Sequence, residues 1–141
     1  MITLSRTALR VVRTGTLGPI RRDVAARWLA SEEPTLVMYA LLRLSLNGPD
    51  FAFAETMALK HAAHPDEWVR RNAATSLSHV ARIHGSIELD AVMAALVAML
   101  DDPEACGWAD DALDEVEIYM NTDRRRYMAA STELPLQRAA P

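Results

Sequence analysis

The residues best suited to chemistry are gathered in one stretch. From Asp101 to Glu117 there are eight carboxylates, at 101, 102, 104, 110, 111, 114, 115 and 117, and no basic residue. Helical spacing puts Asp110, Asp114 and Glu117 on one face, with Asp111 and Glu115 beside them. Ala105, Ala109, Ala112, Leu113 and Val116 recur on the apolar side. Like charges at i,i+4 destabilise an isolated helix by about 0.2–0.5 kcal/mol per pair, so this face is costly unless something positive meets it. One reading is a docking surface for a basic protein partner, with Asp101, Asp102, Asp110, Asp111, Asp114, Glu115 and Glu117 as the partner-binding residues. A second is a solvated face partly neutralised by Arg70, Arg71 or Arg82. A metal site fits least well, because adjacent carboxylates on a solvated helix diverge, so no metal or cofactor is expected.

The other reactive side chains are few. His61 and His64 stand at i,i+3, but no third ligand is spaced to complete a zinc site. His79 and His84 flank Arg82 near a helix end, where imidazole meets exposed carbonyls favourably. All four histidines are therefore assigned structural roles. Cys106 has no base at helical spacing and reads as a small packing residue; a single cysteine also excludes an internal disulfide or a multi-cysteine zinc site. There is no glycine-rich phosphate loop and no nucleophile motif. No carboxylate is set in an apolar cleft of the kind that would raise its pKa for acid catalysis. No catalytic residue is assigned, and the expectation is that the chain is not an enzyme.

The elements that must position these groups are helices. Residues 64–84, HPDEWVRRNAATSLSHVARIH, form the stretch on which the chain is organised. Pro65 suits a first helical turn, Asp66 and Glu67 suit its positive end, and Gly85 supplies a left-handed stop. Val69, Ala73, Leu77 and Val80 line one face, and Arg71, Thr75, Ser78 and Arg82 the polar one. Before it, helices are expected over Pro19–Ala30, with Ile20, Val24 and Trp28 four apart, and over Pro34–Leu46. A third follows Asn47-Gly48-Pro49, with Asp50 as its cap and Phe53 and Met57 stacked. After it, Ser86 is expected to cap Ile87–Leu100, and Asp101-Asp102-Pro103 to open a helix from Glu104 to Met120. Residues 5–13 could form a leading helix, although their arginine-rich, acid-poor character also resembles a transit peptide. Beyond Asn121 the period is lost, which suggests a tail or a short docking segment.

Three triplets repeat: Leu36/Ala40/Leu44, Val69/Ala73/Leu77 and Ala105/Ala109/Leu113. Each follows a proline closely, and the small central alanine lets a partner helix approach. A period in the mid-thirties with two helices per unit indicates an all-α solenoid of about three antiparallel helix pairs. The expected division is a basic arm or leading helix at 1–18, a helical domain at 19–120 and a tail at 121–141. Charge follows it: residues 1–27 hold six arginines against Asp23, net +5, and the remaining nine basic and eighteen acidic residues give −9, the two summing to −4. An acidic body opposes nucleic-acid binding. No apolar run reaches the ~20 residues of a membrane span, so a cytoplasmic protein is expected.

Pro65-Asp66, Val69-Arg70, Ala73 and Leu77 resemble the turn and second helix of a HEAT repeat, although Val37 and Cys106 replace the arginine in the flanking units. The strings HPDEWVRRNAATSLSHVARIHG, ELDAV and ADDALDEVEIY, within residues 61–119, resemble a group of short bacterial HEAT-repeat proteins. Residues 1–30 take no part in the likeness. Some members of that group serve as immunity proteins of polymorphic, contact-dependent toxin systems. The resemblance thus implies a HEAT-like fold and a protein-binding role, neutralising a basic toxin domain by steric and electrostatic docking. The alternative is a general HEAT-repeat adaptor or scaffold without a toxin partner.

Overall fold

The computed structural model describes residues 5–14 and 17–128. These form α1 (Arg6–Thr14), α2 (Arg22–Leu29), α3 (Pro34–Leu46), α4 (Phe51–His61), α5 (Glu67–His84), α6 (Leu89–Met99) and α7 (Cys106–Met120). One further helical turn covers residues 125–128, and there is no strand among the described residues. The fold is all-α. None of these helices is long and apolar enough to cross a membrane.

Helix α5 is the centre. Its N-cap is Asp66, whose carboxylate accepts from the Trp68 and Val69 amides at 2.9 and 3.1 Å, and Gly85 ends it at φ 75°. It is flanked by α3 and α7 and backed by α4, so it is covered on three sides. That enclosure explains why Ser76 and Ser78 are buried along with Val69, Ala73, Leu77 and Val80. The expected polar face is therefore narrower than its spacing implied, and Ser78 turns its hydroxyl back to the Thr75 carbonyl at 2.7 Å.

The expected pairs are α2/α3, α4/α5 and α6/α7, with α3, α5 and α7 packed side by side. All nine residues of the three triplets are buried. The central alanines Ala40, Ala73 and Ala109 are fully enclosed, as a close helix crossing requires. Burying Leu77 or Leu113 stabilises the fold by about 1.5–3 kcal/mol each.

Several boundaries differ from expectation. Arg43 donates to the carbonyls of Gly18 and Pro19, holding that segment extended, so α2 starts at Arg22 and buries Ala25 and Leu29 rather than centring on Val24 and Trp28. Asp50 occupies the cap position of α4 without capping it; its carboxylate lies 3.6 Å from Arg22. Ser86 does not cap α6, because residues 86–88 stay outside the helix and Glu55 of α4 accepts from the Glu88 amide at 2.6 Å. Helix α7 begins at Cys106, after a turn closed by Asp102, whose carbonyl accepts from Ala105 and Cys106.

The two ends of the described chain both dock. Ala8 of α1 is buried against Leu36, with Trp28 and Tyr39 alongside, and the Ser5 amide donates to Glu33 at 3.0 Å. After α7, which Asn121 ends in a left-handed conformation, residues 122–128 fold back. Tyr127 packs on the core and its hydroxyl donates to Asp90 of α6 at 2.8 Å.

Candidate partner-binding surface

Each α7 carboxylate is placed by the face of the helix it occupies. Asp110, Asp114 and Glu117 project from one flank and converge on Arg124. The guanidinium donates to Asp110 at 2.6 Å, to Asp114, and to Glu117 at 2.6 and 2.9 Å, while the Arg124 amide donates to Glu117 at 2.8 Å. Hydrogen bonding from Arg124 holds the Glu117 carboxyl below its ordinary range, and Glu117 in turn raises the Arg124 pKa. Neutralisation from within the chain is what the solvated-face reading expected. The compensating cation comes not from Arg71 or Arg82 but from the segment whose period had faded.

Asp102 is also spent within the chain. Arg70 donates to it at 2.7 Å from Nε, and reaches the carbonyls of His64 and Pro65 at 3.0 and 2.9 Å. That network ties the start of α5 to the turn before α7. The Arg70 hydrogen bond lowers the Asp102 pKa. The pair stands beside an open cleft of about 390 Å³ between α4 and α6, lined by Leu59, Ala62, Ala63, Ala95, Ala98 and Met99. Its charged groups are Arg70 and Asp102, engaged with each other, so the cleft offers no free acid, base or nucleophile.

Asp101, Asp111 and Glu115 are not brought into any ion pair among the described residues. Asp101 and Asp111 are exposed. Glu115 lies on the α5 side of α7 near His79, and its Oε2 is shielded from solvent with no hydrogen-bond partner. The carboxylates of Asp110, Asp111 and Asp114 lie close enough together to face a cation, and Arg124 already supplies positive charge to two of them.

The histidines have local partners. His61 Nδ1 lies 2.7 Å from the Met57 carbonyl, His64 Nδ1 accepts from the Asp66 amide, and His84 stacks on Phe51. Burial, then the charge of Arg82, pushes the His79 pKa down. Cys106 is a half-buried free thiol.

Sequence reasoning missed one cluster. Trp68 of α5 and Trp108 of α7 meet edge to face with ring centroids 6.0 Å apart. The Arg71 guanidinium lies 4.4 Å from each centroid, and its Nε donates to the Glu104 carbonyl. Both indoles remain substantially exposed, at 48 % and 39 %. The available signal was the placement of Arg71 one turn after Trp68; the second ring, forty residues on, depends on α5 lying against α7.

No protein-family model matches the chain, and no curated protein does. Among solved structures, a chain from the crystal structure of a CDI complex of Cupriavidus taiwanensis LMG 19424 is similar, at 24% identity and a TM-score of 0.66. The match covers 74% of this chain and 93% of that one. The likeness is one of fold.

Proposed function

We propose that this chain is a non-enzymatic protein-binding module, an immunity protein that neutralises a cognate toxin domain by covering it. The carrying observation is that its fold matches, over nearly the whole length of the neighbour, a chain from a CDI complex. The resemblance of residues 61–119 to short HEAT-repeat immunity proteins of contact-dependent toxin systems points the same way. The partner is a basic toxin domain, met in the cytoplasm. Of the seven candidate carboxylates, Asp101, Asp111 and Glu115 are available to it, whereas Asp102, Asp110, Asp114 and Glu117 are engaged by Arg70 and Arg124. Complementary charge of this kind chiefly speeds encounter and selects the partner.

The test is co-expression with the C-terminal domain of the polypeptide encoded immediately upstream of this chain. Growth rescued by this protein, together with a purified complex, is the expected result. A domain that is harmless alone, or that kills equally in the presence of this protein, overturns the reading.

A further inference from the structure

We propose that the ridge of Trp68, Arg71 and Trp108, continued along α7 by Asp111 and Glu115, is the contact surface, and that it takes a lysine- or arginine-bearing segment of the partner protein. This rests on the protein-binding function proposed above and names the surface and the chemistry of its occupant.

Two independent features support the choice. The first is the character of the anchor. Tryptophan and arginine are the residue types that dominate binding energy at protein interfaces, and here two exposed indoles enclose a largely covered arginine. Arg71 is immobilised by two rings, by the Glu104 carbonyl and by Glu67 at 3.8 Å, so little side-chain freedom remains to be lost on binding. An exposed aromatic pair fixed in this way is a preformed platform, with indole faces able to take an additional cation.

The second is charge. Glu104, Asp111 and Glu115 border or extend the ridge without an ion-pair partner among the described residues, with Arg71 seated in it and Arg82 on His79 beside Glu115. A cationic segment laid along α7 would balance these carboxylates. The adjoining flank of α7, beside Asp111, has no such need, because Arg124 already serves Asp110, Asp114 and Glu117.

Two measurements on the full-length chain separate this inference from the function it rests on. The first uses fluorescein-labelled octalysine, with octaglutamate as the reverse-charge control, followed by anisotropy at low salt. Octalysine should bind the native chain. Trp68→Ala with Trp108→Ala, and separately Asp111→Lys with Glu115→Gln, should each weaken it about tenfold. Glu32→Gln, exposed between α2 and α3, should leave it unchanged. Octaglutamate binding as well as octalysine, or ridge variants that melt normally and bind octalysine like the native chain, would overturn the proposal. The charge variant keeps the test open should the double alanine variant melt early. The second measurement uses the upstream-encoded domain. If the native chain ignores it, the toxin reading falls and octalysine decides the ridge. If the native chain binds it and the ridge variants bind equally well, the ridge falls and the toxin reading stands.

Discussion

Arg124 grips Glu117 from two directions, its amide donating to one carboxylate oxygen and its guanidinium to the other. Because the same guanidinium also holds Asp110 and Asp114, one side chain fastens residues 121–128 across about two turns of α7.

Arg124→Ala should therefore release that segment and restore the like-charge repulsion along α7. The expected loss of stability is about 1–2 kcal/mol, more than an isolated surface pair provides because three carboxylates share the cation. Hydrogen exchange should show reduced amide protection at residues 122–128, and unchanged protection there would mean Tyr127 alone suffices to hold the segment.

Acid should weaken the fold through Asp102 and Glu117, whose pKa values Arg70 and Arg124 depress. Groups with depressed folded values bind fewer protons when folded, so their stabilisation is complete above the unfolded values of 3.8 and 4.5. It is then lost as pH falls through the lowered folded values. Melting temperatures recorded across pH should hold steady from neutrality down to the carboxylate range and then drop. Glu117→Gln should flatten the drop, and an unaltered profile would remove Glu117 from the account.

Ala73→Leu tests the central crossing. Ala73 is fully enclosed in α5, and forcing a larger side chain into such a site costs about 1–3 kcal/mol. The denaturation midpoint should fall accordingly, and a midpoint equal to that of the native chain would place the close approach elsewhere.

Asp66→Ala should cost about 1 kcal/mol, since it strips two amides of α5 of their acceptor. Its effect should appear in thermal melts and not in octalysine binding. Loss of binding without loss of stability would mean that the cap orients Trp68.

What could be read in the sequence was what is settled locally. Gly85 ends α5 by its own chemistry, and the triplets with central alanines follow from helical spacing alone; Pro65 suited a first turn, but Asp66 caps α5 and leaves it outside. The start of α2 could not be read so, because Arg43 dictates it from twenty-five residues away. Ser86 looked like a cap only while Glu55 was unplaced. The acidic stretch was legible as a feature, and Arg70 as one of its cations, yet the pairing of Asp110, Asp114 and Glu117 was not. Arg124 follows the end of the helical period, and Arg70 reaches Asp102 across thirty-two residues. The Trp68–Trp108 contact likewise exists only once α5 and α7 lie side by side.

The Arg124 clasp also bears on self-association. A stack of helix pairs has an intrinsic hazard at its last helix, whose outer side can accept another pair, including one from a second copy, and repeat arrays need polar ends to stay soluble. Here that outer side carries acidic residues bridged by the chain's own arginine, so an identical molecule approaching end-on would have to break three ion pairs before it could pack. Arg124 is therefore expected to oppose such end-on packing. Its removal should favour end-to-end oligomers at high protein concentration.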